Sequence, residues 1–325
     1  MPAPVRFGTF SVVARDADRG EFGVAVQSRF ISVGSVVPWA SIDAGAIATQ
    51  ALANASYGPR GLELLRQGVS AREVVERLTR ADAEREHRQL GVVDLRGEAA
   101  SYTGKECLDW AGHVVGHQFA CQGNILVSSD VVEAMARAME TTPGDLPERL
   151  LAALSAGQKM GGDRRGMQSA SLLVVKDQGG YGGTIDRWID VRVDDHPSPI
   201  EELKRVFALY DMTLLTREDP STLLPLDRER VQQVQGALKA LGFYFGPVHG
   251  NYDPPTQQAF SKFLGVNNFE SKERKDKKVW PSVMNFLAEA AREAEERAAT
   301  AQKPVYGALD AGPGRAAGER RRKGR

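Results

Sequence analysis

The hydrophobic pattern opens on two strand-like runs. Residues 8–14 (Gly-Thr-Phe-Ser-Val-Val-Ala) and 20–29 (Gly-Glu-Phe-Gly-Val-Ala-Val-Gln-Ser-Arg) are rich in β-branched and apolar residues and are joined by the polar turn Asp16-Ala17-Asp18-Arg19-Gly20. This predicts a hairpin with strands of ordinary length. Val24, Ala25 and Val26 do not alternate with polar residues, so the second strand is expected to be covered on both faces. Two further strands are predicted at 33–39 and 44–50. A helix follows over 57–68, with Leu62, Leu64 and Leu65 apolar and Gly68 at its end. The next helix starts from a capping box, Ser70 with Glu73 three residues on, and carries Val74, Val75 and Leu78 as its stripe. A hairpin is predicted over 89–95 and 98–103 around Arg96-Gly97, and a short strand within 119–128. Helices are predicted from Ser129-Asp130 to Met139 and over 146–156. Strands at 169–176 and 188–193 flank the glycine-rich turn 179–183, and a closing helix spans 199–210.

Strands and helices are therefore segregated rather than alternating, which predicts an α+β fold and not a doubly wound sheet. Two sheets packed face to face, with helices outside, would bury the doubly apolar strands in a four-layer αββα sandwich. A second, small helical domain is expected after a linker. Val231, Val234, Leu238 and Leu241 have helical spacing and stop at Gly242, a glycine placed to end a helix. A turn at 246–253 leads to another helix starting at Pro255. The expected boundaries are 1–212, a linker at 213–226, the helical domain at 227–292 and a disordered basic tail at 293–325.

Composition narrows the function. The chain has 325 residues, 42% hydrophobic and 26% charged, with 42 Lys+Arg balanced by 42 Asp+Glu. That is long enough for two domains, and its zero net charge argues against a nucleic-acid partner. The first residues lack the apolar stretch of a signal peptide, and no run reaches the ~20 apolar residues of a membrane helix. Two cysteines make no disulfide framework, so a reducing, cytoplasmic location is expected.

The Gly8-Thr9 step that opens the first strand, with Gly23-Val24 and Gln27-Ser28-Arg29 in the second, resembles the start of an N-terminal-nucleophile (Ntn) hydrolase. The resemblance implies that Thr9 attacks an amide through its side chain. Its own α-amine, freed by cleavage of Gly8-Thr9, would serve as the base; an α-amine titrates near ~8. Ser11, on the same strand face, is an alternate nucleophile, and Ser28 and Arg29 complete the catalytic candidates. Two departures stand out. Gln27 occupies the place of an Asp, and the first lysine in the chain is Lys105, so a nucleophile-activating Lys is missing from the early strands. Arg29 could supply a positive field but not exchange a proton.

At finer grain, Thr9-Phe10-Ser11-Val12-Val13-Ala14-Arg15-Asp16, Val37-Pro38-Trp39-Ala40, Ala48-Thr49-Gln50-Ala51, Tyr57-Gly58-Pro59-Arg60-Gly61, Ala120-Cys121-Gln122-Gly123-Asn124, Gly161-Gly162-Asp163-Arg164-Arg165-Gly166, Gln168-Ser169-Ala170 and Val193-Asp194-Asp195-His196-Pro197 resemble the DUF1028 family over residues 9 to about 210. The resemblance implies an Ntn-hydrolase-like fold and leaves the activity undefined. Gln50, Asn54 and Asn124 offer amides that could hold a substrate amide, or equally satisfy turn backbone. Asp163, Arg164 and Ser169 lie in a charged, glycine-rich loop of the kind that carries binding sites; a solvated turn with an Arg–Asp pair is the alternative. The loop lacks the Gly-Lys-Ser/Thr ending of a phosphate loop. Cys107, His113, His117 and Cys121 are ligand types zinc accepts, but their spacing fits no usual zinc framework, and neither a metal nor another cofactor is expected.

The region from 228 resembles a peptidoglycan-binding-like module of three helices, from which it departs by the charged insert 271–278. Two functions of different class remain. One is an Ntn-type amidohydrolase acting on a small amide or peptide. The other is a non-catalytic binding or assembly protein, with recognition of a glycan or protein by the second domain. A homo-oligomer is expected in either case.

Overall fold

The computed structural model describes residues 8–215 and 217–301. The chain divides into two compact units, the break falling after Leu215. The first unit runs β1 (Thr9–Asp16), β2 (Glu21–Ser28), β3 (Pro38–Ser41), β4 (Gly45–Ala51), α1 (Tyr57–Arg66), α2 (Ala71–Arg80), β5 (Arg88–Asp94), β6 (Ala99–Thr103), β7 (Gly112–Gly116), β8 (Phe119–Asn124), α3 (Asp130–Thr141), α4 (Leu146–Lys159), β9 (Ser169–Lys176), β10 (Arg187–Val193) and α5 (Pro199–Leu214). The strands form two antiparallel sheets, one ordered β10-β9-β2-β1-β8-β7 and the other β3-β4-β5-β6. β1 lies in the interior of the larger sheet, in keeping with its burial from Thr9 to Ala14.

The period of two along each strand sorts side chains into layers. Phe10, Val12 and Ala14 of β1 point to one side, into a core shared with Met135 of α3, Leu150 and Leu154 of α4 and Leu203 of α5. Val13 points to the other side and joins Val24, Val26, Ala46, Ala48 and Val93 in a core between the two sheets. Ile47, Leu90 and Val92, on the far face of the smaller sheet, pack on Leu62 and Leu65 of α1 and Val74 and Leu78 of α2. The order is helices, sheet, sheet, helices. Each fully buried Val, Leu or Phe contributes about 1.5–3 kcal/mol, which is why β2, apolar on both faces, sits inside the stack.

The inter-sheet layer changes character along its length. Beyond Val13 the same face of β1 presents Ser11 and Thr9; neighbouring strands of its sheet add Ser28, Gln122 and Asn124, and the facing sheet adds Gln50 and Gln89, all buried. Apolar packing holds one end of the layer and hydrogen bonds the other. Gly91 makes the close approach possible there, because a Cβ on it would stand 2.2 Å from Gln122 Oε1.

Several elements differ from their sequence expectations. Residues 33–39 are not one strand: Val33–Ser35 is a 3-10 turn and the strand starts at Pro38. Ser169 Oγ accepts the Val33 N–H at 3.1 Å, and Gly34 backs onto Ser171, so the turn is pinned by a remote strand. β7 was not expected. It is short, bounded by glycines and alternately exposed, and it carries no apolar run. Ser70 caps α2 as expected, its Oγ accepting from Glu73 N at 3.4 Å, while the Glu73 carboxylate meets Arg77.

The second unit contains α6 (Arg228–Ala240), α7 (Pro254–Val266) and α8 (Pro281–Ala301), with a two-residue ladder of β11 (Leu224–Pro225) on β12 (Lys278–Val279). Asp227 and Asp253 cap α6 and α7 by accepting from Arg230 N at 2.9 Å and Thr256 N at 3.1 Å. Val231, Val234 and Leu238 are buried with Phe260, Phe263, Phe269 and Leu287, while Leu241 is half-buried. Gly242 takes φ +77 at the end of α6, the left-handed geometry glycine adopts at little cost. The expected linker and tail need correction here. Within the expected linker, 213–226, α5 reaches Leu214 and Leu224–Pro225 is paired. The charged insert 271–278 is docked. Lys272 is buried, its Nζ donating to Glu218 Oε1 at 2.6 Å and lying over the Trp280 ring. Helix α8 continues past residue 292, because Ala, Glu and Arg favour helix and Arg297 pairs with Glu293 one turn away. The rest of the expected tail, 302–325, lies outside the described residues.

Candidate functional site

The alternation of β1 delivers Thr9 and Ser11 to the polar end of the inter-sheet layer, and the antiparallel register sets Thr9 opposite Ser28 on β2 and Asn124 on β8. Thr9 Oγ1 lies 3.0 Å from Ser28 Oγ. Ser28 Oγ in turn donates to the Gly8 carbonyl at 2.5 Å. A hydroxyl has one hydrogen to give. Ser28 spends it on Gly8, so Thr9 is the donor in the contact between the two hydroxyls.

The Gly8 carbonyl has a second donor, Arg165 Nη2, at 2.9 Å. Arg165 is held by Asp163, whose carboxylate it meets at 2.7 Å through Nη2 and 3.1 Å through Nε. Asp163 is buried and also accepts the backbone N–H groups of Arg165 at 2.9 Å and Arg29 at 3.1 Å. A carboxylate so bonded is fixed in place. Gly8 fits against this pair without space to spare: a Cβ on it would stand 2.7 and 2.8 Å from the Asp163 oxygens and 2.9 Å from Arg165 Nη2.

Beneath Thr9 the amides form one connected cluster. Ser11 Oγ donates to Gln50 Oε1 at 2.6 Å and accepts from Gln122 Nε2 at 2.7 Å. Gln50 Nε2 donates to Gln89 Oε1 at 2.8 Å and lies 3.4 Å from the Thr9 carbonyl. Asn124 Nδ2 also reaches Gln89 Oε1, at 2.9 Å. Gln89 Nε2 bonds the Gly123 carbonyl at 2.8 Å and Thr103 Oγ1 at 2.9 Å, and Thr103 meets His113 Nδ1 at 2.9 Å.

The structure thus brings together Thr9, Ser11, Ser28, Gln50, Asn124 and Asp163. It directs the other candidates elsewhere. Arg29 is exposed, its guanidinium on the Met167 carbonyl at 2.9 Å, and the cation at Gly8 is Arg165 instead. Arg164 bonds the Asp109 carbonyl. Ser169 bonds the Phe30 carbonyl and Val33 N, tying the start of β9 to the chain after β2. Asn54 bonds Asp82 at 3.1 Å and Ser56. Gln27, on the opposite face of β2 from Ser28, is wholly buried between Phe10 and Ala170 on the neighbouring strands, with neither amide atom bonded. Arg165 and Gln89 were missed from the sequence. Gln89 alternates with Gly91 and Val93, which does signal the inter-sheet face; nothing local signals Arg165.

Cys107 donates through Sγ to the Arg88 carbonyl at 3.3 Å, and burial pushes its thiol up to about 11. Burial likewise raises Cys121, which lies in the helix-side core. His113 is lowered by burial. Among the described residues no three His, Cys, Asp or Glu side chains converge on a metal-sized site.

Stacked antiparallel sheets with outer helices, and a buried Thr–Ser pair on a carbonyl that an Asp–Arg pair also holds, define an α+β protein with a polar site at one end of its inter-sheet layer. The chain belongs to the family of unknown function DUF1028, whose model matches residues 9–203. A second model, described as "Putative peptidoglycan binding domain", matches residues 213–287. Among solved structures, protein SPO2555 from Silicibacter pomeroyi, also a DUF1028 match, is similar at 32% identity and a TM-score of 0.58. That likeness covers 63% of this chain and 89% of that one. No curated protein matches, and no described helix is long and apolar enough to cross a membrane.

Proposed function

We propose that the first unit is an Ntn-type amidohydrolase that acts on a small amide or peptide through Thr9. The observation that carries this reading is the pair of donors on the Gly8 carbonyl, with the Thr9 hydroxyl hydrogen-bonded to one of them. Attack of Thr9 Oγ1 on the Gly8 carbonyl carbon would place negative charge on an oxygen already held by Ser28 and the Arg165 cation, which is the arrangement that lowers such a barrier. The Thr9 proton passes to Ser28 as the Ser28 proton passes to that oxygen. The adduct collapses by breaking the Gly8–Thr9 C–N bond, the proton on the Gly8 oxygen passing to the nitrogen as the carbonyl re-forms. Gly8 is left as an ester on Thr9 beside a free α-amine, and water hydrolyses the ester. The freed amine then serves as base for attack on an external amide. Arg165 supplies the positive charge for which the early strands contain no lysine.

The self-bonded amides favour a second reading. Gln50, Gln89 and Asn124 bond one another and backbone carbonyls, as a structural core would, and a non-catalytic protein that recognises a glycan or protein through its second unit would need nothing more. Intact mass of the purified protein separates the two. A chain starting at Thr9 in the wild type and an uncut Thr9→Ala variant without amidase activity are expected. An uncut, inactive wild-type chain would sink the hydrolase and leave the binding protein.

A further inference from the structure

The same geometry limits which acyl groups the site can take, given the Thr9 chemistry above. During self-cleavage the acyl group transferred to Thr9 is that of Gly8. An external amide forms the same ester on the same oxygen, so its carbonyl takes the place of the Gly8 carbonyl and its acyl α-carbon takes the place of the Gly8 Cα. That α-carbon lies against Asp163 and Arg165, where an L-Cβ would stand 2.7–2.9 Å from three side-chain atoms. These distances are shorter than carbon keeps from nitrogen or oxygen, so one side must move.

Neither neighbour moves cheaply. Asp163 is a short, buried side chain held by two backbone N–H groups and two bonds from Arg165. Arg165 Nη2 is committed to both Asp163 and the carbonyl itself. Shifting it to admit a methyl group breaks the bond that stabilises the reacting oxygen, so the penalty falls on the transition state.

We propose that the site selects acyl groups with an unsubstituted α-carbon, that glycyl amides are its substrate class, and that Asp163 and Arg165 enforce the choice. The reaction is amide plus Thr9 hydroxyl giving a glycyl ester and a free amine, then ester plus water giving the glycyl carboxylic acid and the Thr9 hydroxyl.

The chain is its own first substrate, which supplies the test. Intact mass is followed over time in wild type and Gly8→Ala. Cleavage in Gly8→Ala slower by about tenfold or more, the size expected for forcing one methyl into a packed site, supports the proposal. Cleavage at the wild-type rate overturns it and leaves the Thr9 reading standing. A wild-type chain that stays uncut overturns both. If Gly8→Ala does not fold, the mature wild type is assayed on N-acetylglycyl and N-acetyl-L-alanyl p-nitroanilides. A kcat/KM at least about tenfold higher for the glycyl compound supports the selection; equal values, or hydrolysis of neither, overturn it.

Discussion

Arg165 shows what one residue can hide. It reaches Gly8 across 157 positions of sequence, and no periodicity reports such a contact. Arg29 was the natural candidate from the sequence because it follows Ser28. It falls just past the end of β2, however, and is exposed. Thr9 and Ser28 were singled out by a family resemblance, and strand period added Ser11 on the face of Thr9. The cysteines are a case where the residue-scale reading can be checked directly. With Cys107 pushed up to about 11 and Cys121 raised further into the core, almost no thiolate exists at neutral pH, and the thiolate is the nucleophile. Iodoacetamide at pH 8 is expected to leave both thiols unmodified in the native protein and to alkylate both in denaturant, read by mass. Rapid native labelling of either would contradict the burial described.

At the scale of elements, helices with caps and two-faced strands were read from sequence because their signals are local. The edge strand β7 and the 33–35 turn escaped because partners in other elements define them. The entry to α1 is another such place. Asp82, after α2, accepts from Asn54 before α1, from Tyr57 in its first turn at 2.8 Å and from Arg88 of β5 at 2.9 Å. Burial alone would raise this carboxyl. The bonds from Arg88, Asn54, the Glu84 backbone and Tyr57 outweigh it and hold Asp82 well below the usual carboxylate range. A carboxyl lowered on folding contributes stability that is fully present above its unfolded value near ~4 and is lost as pH falls through the folded value. Asp82→Asn is expected to cost about 1–3 kcal/mol at pH 7, since Arg88 loses its less exposed carboxylate and keeps only the exposed Glu84. The gap to wild type should narrow as urea melts are repeated from pH 5 downward. A gap that stays constant to pH 2 would show that Asp82 is not the group responsible.

For the whole molecule, each unit has its own apolar core, and domains with their own cores unfold as separate transitions. Calorimetry of the full chain is expected to show two. Glu218→Ala, which takes from buried Lys272 its carboxylate partner at 2.6 Å, should lower the second unit's transition alone, by about 2–4 kcal/mol in stability. A single transition, or equal shifts in both, would mean the units fold as one. The division into two units was legible because a helical period follows a region of mixed strands and helices. The boundary was not, because pairing of Leu224–Pro225 with Lys278–Val279 joins segments that sequence composition marks as linker and insert.

The amides beneath Thr9 also have a sense of direction. Gln122 donates to Ser11, Ser11 to Gln50, Gln50 to Gln89 and Gln89 to Thr103. Thr103 Oγ1 lies 2.9 Å from His113 Nδ1 at the outer end. Turning Gln89 over would set its oxygen against the Gly112 and Gly123 carbonyls and its nitrogen against Gln50 Nε2. Gln50 Nε2 likewise faces the Thr9 and Gln122 carbonyls, so the row has one setting. Fixed backbone carbonyls, rather than any side chain that titrates, therefore aim the Ser11 hydroxyl two residues from Thr9.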